Sequence, residues 1–178
     1  MHDIRVVATI AMTACLMAAG LAYTAVPGTP ESQTRDERKI PVDQAFQVFL
    51  AKVDAAQLEL QNGKPDAFKA LWSHADDATL SGGFGGTIEH GWQQIGPRLD
   101  WVGAQFSQGT NAIERLVTHV SGDLGYVVQI EHIRFTVPGQ AGESTRDYRV
   151  TMLFRRESSG WRIVHRQADS QMTKQAPQ

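Results

Sequence analysis

The sequence predicts an α+β domain in which helices pack on one face of a curved antiparallel sheet. Two observations carry this. Apolar residues recur at helical spacing up to about residue 106, and from Gly109 onward the period changes to strand-like alternation. Helices first and strands second, rather than the two interleaved, is the order expected of an α+β layer architecture. The chain has 178 residues, of which 42% are hydrophobic and 20% charged. That is an ordinary globular composition, long enough for one domain with a tail or two and a sizeable core.

The first segment reads as an address. From Val6 to Val26 no residue is charged, Arg5 precedes the run, and a polar stretch follows. This is the pattern of a secretory signal, with Gly20-Leu21-Ala22 as a small-x-small cleavage site. The run is also just long enough to cross a bilayer uncleaved, and Met12-Thr13-Ala14-Cys15 weakly resembles a lipobox. In each reading the domain is exported, periplasmic or secreted, or anchored to the membrane by residues 6–26. Residues 27–41, with Pro27, Pro30, Pro41 and a charge cluster, read as a linker. The domain is expected over 42–171, and 172–178 is a frayed tail.

Val42, Ala45, Phe46, Phe49, Leu50 and Val53 set the face of a first helix over about Asp43–Gln61, closed by Asn62-Gly63. Pro65 opens a short second helix through Phe68, Leu71 and Trp72. "ATLSG" is a short strand, ended by "GGFGG". A third helix spans about Gly91–Phe106, and its apolar side carries Trp92, Ile95, Leu99, Val102 and Phe106; Pro97 predicts a kink or a late start. Two strands then flank a turn at Gly122-Asp123, and two more are joined at Glu157–Gly160.

Several function classes are excluded. Net charge is −2 and the signs are interspersed, so no basic patch invites nucleic acid. Cys15 is the single cysteine, so no disulfide closes within the chain and no cysteine-based zinc site exists. His74, His90, His119, His132 and His165 show no metal-ligand spacing. "GGFGG" lacks the Lys-Ser/Thr of a phosphate loop and reads as a lip with Phe84 as a lid. No cofactor or metal is expected.

Strand alternation sorts the polar candidates. Glu131 shares a face with Val127, Gln129 and Ile133. Arg149 shares one with Thr151, Leu153 and Arg155, opposite Tyr148, Val150, Met152 and Phe154. In the final "WRIVHRQAD", Trp161, Ile163, His165, Gln167 and Asp169 lie opposite Arg162, Val164, Arg166 and Ala168. Alternation alone does not say which face is concave.

The stretches "LWSHADDATLSGGFGG", "GWQQIGPRLDWVGAQF", "SGDLGYVVQIEHIR" and "YRVTMLFRRESSGWRIVHRQAD" resemble the SnoaL-like branch of the nuclear-transport-factor-2-like superfamily, which includes ketosteroid-isomerase-related proteins. The resemblance implies a cone, in which a cystatin-like curved antiparallel sheet wraps three N-terminal helices around a pocket. It implies that Glu131 and Arg149 face inward. Gln167 stands where relatives often carry a second histidine, so two-histidine chemistry is in doubt. The expected ligand is a small, partly apolar molecule. As an isomerase- or lyase-like enzyme, the domain would use Glu131 or Asp169 as base, His165 as acid and Arg149 to stabilise an oxyanion. As a non-catalytic module, it would keep an apolar pocket and Arg149 for an anionic ligand. Trp72, Phe84 and Trp92 are candidate substrate contacts, and Asp76 and Asp77 read as turn residues. An apolar face of Tyr148, Val150, Met152 and Phe154 on the convex side would make the chain a homodimer through its sheets.

Overall fold

A computed structural model describes residues 42–174 and Ala176. The expected signal or anchor over 1–26 and the linker over 27–41 lie outside the described residues, as does part of the tail. The described elements are α1 (Val42–Leu60), α2 (Asp66–Lys69), β1 (Thr79–Ser81), β2 (Glu89–His90), α3 (Trp92–Gly103), β3 (Ser107–Ser121), β4 (Leu124–Thr136), β5 (Ser144–Glu157) and β6 (Gly160–Asp169). No helix among them is long and apolar enough to cross a membrane.

The six strands form one sheet in the order β2-β1-β6-β5-β4-β3, with the long strands antiparallel. β1 is the exception and runs parallel to β6. The strand Glu89–His90 carries no alternation that the sequence could show; it exists because the chain returns antiparallel to β1 before α3. The helices cover the sheet's inner face. Phe46, Phe49, Leu50, Val53, Ala56 and Leu60 of α1 are buried against Val127 of β4, Val150, Met152 and Phe154 of β5, and Trp161 and Ile163 of β6 in one core. The α1 helix stops where the sequence places its breakers. Gly63 adopts φ +78°, and Asn62 both donates to the carbonyl of Gly109 and accepts from its N–H, each at 3.0 Å. A Cβ at Gly109 would lie 2.3 Å from the Gln61 carbonyl oxygen, so only glycine lets the start of β3 meet the end of α1. The α3 helix runs unbroken through Pro97, which removes the bond to the carbonyl four residues earlier without ending the helix.

Two predicted faces are reversed. Tyr148, Val150, Met152 and Phe154 are buried on the inner face, so the expected apolar convex stripe on β5 does not exist there. Arg149 and Leu153 take the outer face instead and are exposed. In β6 the alternation changes phase midway. Phe154 pairs with Ile163 but Leu153 pairs with His165, leaving Val164 as the extra residue of a β-bulge. Trp161 and Ile163 therefore point inward before the bulge, and Ala168 after it. Arg166 follows Ala168 inward, while His165, Gln167 and Asp169 turn outward. A further irregularity at Leu116 in β3 does the same to the sheet's far edge. Such bulges increase local twist and curvature, which is how long strands bend around the helices.

Candidate functional site

Between α1, α2, α3 and the inner face lies a narrow, open cavity of about 60 Å³ of space that the centre of a water molecule can reach, within about 520 Å³ of empty space that includes solvent at its mouth. Leu60, Phe68, Leu80, Leu99, Val102, Phe106, Ile133 and Ala168 make most of the wall. The polar lining consists of Gln57, Gln61, Tyr148 and Arg166, and Gly82, Gly83 and Phe84 form part of the rim. Each polar group arrives for a local reason. Gln57, on the apolar stripe of α1, and Gln61, one residue past its end and bonded back to the Gln57 carbonyl at 3.0 Å, sit four apart, so both amides reach the core face. Tyr148 is in register with Glu131 on the inner face of β5. Arg166 is brought inside by the bulge at Val164.

The deepest charges neutralise each other. Glu131 is fully buried; its Oε2 accepts from Arg166 Nη2 at 2.6 Å, and its Oε1 accepts from Gln129 Nε2 at 2.7 Å. Arg166 lines the cavity and Glu131 stands behind it. A buried carboxylate is tolerable only with such partners, because an uncompensated ion would cost several kcal/mol. Around this neutral pair are polar atoms with no partner: both side-chain atoms of Gln57, Oε1 of Gln61 and the Tyr148 hydroxyl. Burial pushes the Tyr148 phenol above its ordinary value, so it stays a neutral donor. Arg146 lies near that hydroxyl and opposes the shift, without a bond of hydrogen-bonding geometry.

The rim is a glycine loop. A Cβ at Gly83 would fall 2.4 Å from the Tyr148 ring, so the loop backbone lies directly on the tyrosine. Phe84 packs edge-on against Trp101 and at a tilt against Phe106, and Arg146 stacks its guanidinium over the Phe84 ring at 4.6 Å. Arg98 donates to the Gly85 carbonyl at 2.8 Å.

The structure gathers some of the expected site residues and disperses the rest. Glu131 faces inward and Phe84 lines the cavity, in the positions expected of them. Arg149 and Asp169 do not face inward. They pair on the outer face, Arg149 donating to Asp169 Oδ1 at 2.5 Å with their side chains 56% and 36% exposed. His165 also lies outside the cavity, held by Thr79 Oγ1 at 2.7 Å from its Nδ1, and burial alone lowers its pKa. His165 and Asp169 share the outer face, but each is held by another partner, Thr79 and Arg149, and no bond joins them. Trp72 is buried core, edge-on to Phe68 and bridged to Ile163; Trp92 stacks on His74 at 4.0 Å, and neither lines the cavity. Asp77 anchors Arg155 through both oxygens, and that guanidinium lowers the carboxyl pKa. Among the described residues no three His, Cys, Asp or Glu side chains converge as metal ligands would.

Sequence reasoning passed over Tyr148, Arg166, Gln57, Gln61 and Arg146. The two glutamines had a visible signal, polar residues at i and i+4 within an apolar stripe. The others had none, because their orientation follows from the bulge and from which face is concave.

A curved, unclosed sheet wrapped over N-terminal helices, with a cavity between the layers, defines the cone-shaped class of α+β folds. Residues 50–172 match the model of the SnoaL-like domain, and the chain belongs to that family. The fold is shared with an NTF2-like superfamily protein from Salmonella enterica serovar Typhimurium, at TM-score 0.62 and 18% identity over 75% of this chain and 98% of that one. An NTF2-like protein from Streptomyces avermitilis, provisionally assigned as a dehydratase, gives TM-score 0.63 and 15% identity over 74% and 97%. A cystatin-like domain from Nostoc punctiforme gives 0.54 and 19% over 74% and 78%. At such identities the likeness is one of fold. No curated protein matches the chain in sequence.

Proposed function

We propose that the protein is an exported SnoaL-like domain that binds one small, largely apolar molecule inside its cone, and that it works as a binding module. The observation that carries this reading is the lining. It is apolar apart from neutral hydrogen-bonding groups and one arginine already neutralised by Glu131. Such a wall suits an apolar body bearing a few polar atoms. It lacks a free carboxylate or histidine positioned to move a proton. The test is native mass spectrometry of the purified protein under gentle ionisation. A retained small molecule, lost when Leu99→Trp fills the cavity, is the expected result. A protein that carries no added mass and binds nothing in a panel of apolar ligands would overturn it.

A second reading is acid–base catalysis of the isomerase or lyase type, and Tyr148 favours it. A buried, unpartnered, neutral phenol is a hydrogen-bond donor of the kind that stabilises a developing oxyanion. Glu131 would then set the orientation of Arg166 beside it. The Streptomyces relative assigned as a dehydratase is in keeping with this. Turnover of any retained ligand that Tyr148→Phe lowers by about a hundredfold or more would establish it.

Export rests on the uncharged run after Arg5, and fractionation of bacteria expressing the whole chain checks it; protein found only in the cytosol would refute it. Homodimerisation remains our proposal, moved to another set of residues. The outer face carries exposed Leu116, Val117, Leu124, Tyr126 and Leu153. Light scattering at micromolar concentration should give twice the chain mass, and a monomer would count against it.

A further inference from the structure

We infer that the ligand of this cavity is a monocarboxylate with an apolar body, its carboxylate held at the mouth by Arg146; the inference rests on the binding-module reading above. The charge balance of the site points there. Arg166 inside is cancelled by the fully buried Glu131, so the interior gains nothing from a charged ligand group. Arg146 is not part of the cavity lining but stands over Phe84 at its rim, and there the balance is different. Arg146 is in register with Ile133, on the inner-face side of β5. Its guanidinium stacks 4.6 Å over Phe84, and Phe84 is itself part of the cavity wall. Among the described residues the Arg146 side chain has no carboxylate partner and no bond of hydrogen-bonding geometry, whereas Arg98, Arg115, Arg149, Arg155, Arg156 and Arg166 sit in ion pairs. Arg134 and Arg162 also lack a carboxylate partner, but of the three only Arg146 stacks on a ring of the cavity wall.

A second observation lies two residues along the same face. The Tyr148 hydroxyl is buried, lacks a partner and lies within the electrostatic reach of Arg146. A guanidinium fork beside a neutral phenol donor is complementary to a carboxylate, which accepts from both. Stacking on Phe84 keeps the guanidinium plane partly out of water, which strengthens any hydrogen bond it makes to an anion. The apolar body then lies against Leu99, Val102 and Phe106, and a second charge on the ligand would meet no counter-ion inside.

The test compares two probes of one shape, naphthalene-2-carboxylate and naphthalene-2-carboxamide, titrated calorimetrically into the full chain at low ionic strength. The expected result is a preference for the carboxylate of about tenfold or more, the worth of one charge-assisted contact. Arg146→Gln should abolish that preference and leave carboxamide affinity within about threefold, while Arg146→Lys should keep part of it. Equal affinity for the two probes in the unaltered protein, or an unchanged preference in Arg146→Gln, would overturn the inference and leave the cavity reading standing. Failure of both probes to bind at millimolar concentration would overturn both together. Circular dichroism of the variants confirms that each is folded.

Discussion

Two ion pairs on β6, three residues apart, show opposite designs. Arg166 reaches inward across β5 to Glu131 on β4, with the side chains 11% and 0% exposed. Asp169 meets Arg149, its register partner on β5, on the outer face in contact with water. The chemistry is the same, a guanidinium on a carboxylate, but the surroundings are not. Inside, each charge is tolerable only because of the other, and the pair shapes the floor of the cavity. Outside, solvent competes with both and the contact contributes little. What separates the two is alternation, since residues three apart on a regular strand take opposite faces; the bulge at Val164 decides that Arg166 shares the face of Trp161 and Ile163.

The comparison is sharpened most by deleting Val164. Without this extra residue β6 alternates in one phase, and Trp161, Ile163, Arg166 and Ala168 keep the inner face in unbroken register with β5. What is lost is the twist of the bulge and the spacing between the Trp72–Ile163 bridge and the pairing of Thr79 with His165. We expect a folded protein with a much lower thermal transition. Unchanged stability would show that the bulge is not needed to curve the sheet.

The next effect is on the inner pair alone. Arg166→Leu leaves Glu131 buried without its counter-charge and should cost about 3–5 kcal/mol in urea unfolding. Adding Glu131→Leu should restore much of that, since a matched apolar pair replaces a matched ionic one. If the double variant is no more stable than the single, the two residues are not energetically coupled.

His165, one residue before the inner pair's Arg166, supplies a pH test. Burial lowers its pKa below 6.5 in the folded chain, whereas the unfolded chain titrates near 6.5. The unfolded state therefore binds more protons, and stability rises with pH. Stability should fall as pH drops through 6.5 and level off below the folded value. His165→Gln should flatten that part of the profile, measured by urea unfolding between pH 5 and pH 8. An identical slope in the variant would place the dependence elsewhere. The smallest effect is expected of the outer pair. Arg149→Ala should change stability by no more than about 1 kcal/mol, less in high salt. A loss as large as that of Arg166→Leu would mean that the outer face is covered in solution.

Much of the architecture was legible in the residues. Phe46, Phe49, Leu50 and Val53 fall at helical spacing, Asn62-Gly63 closes α1, and Gly122-Asp123 turns β3 into β4. The site was legible only in part. Glu131 faces inward as the resemblance implied and Phe84 lies on the glycine-loop rim as its sequence suggested, whereas Arg149, Asp169 and His165 are on the solvent side of the sheet, and Trp72 and Trp92 belong to the packing around the cavity.

Local interactions repeat along the chain, so periodicity, capping residues and turn glycines determined the helices, the long strands and their order from sequence alone, though not the two-residue strand Glu89–His90. Which face of a strand is concave is not a local property. Period-two alternation in β5 is satisfied equally by Tyr148 inside or Arg149 inside, and only the helices packed against the sheet chose Tyr148. The bulge at Val164 is decided by pairing with β5, since one unpaired residue leaves no mark in the strand's own sequence. The tertiary structure therefore chose the cavity's arginine, Arg166 in place of Arg149, because orientation across a sheet is fixed by contacts between strands and layers far apart in the chain.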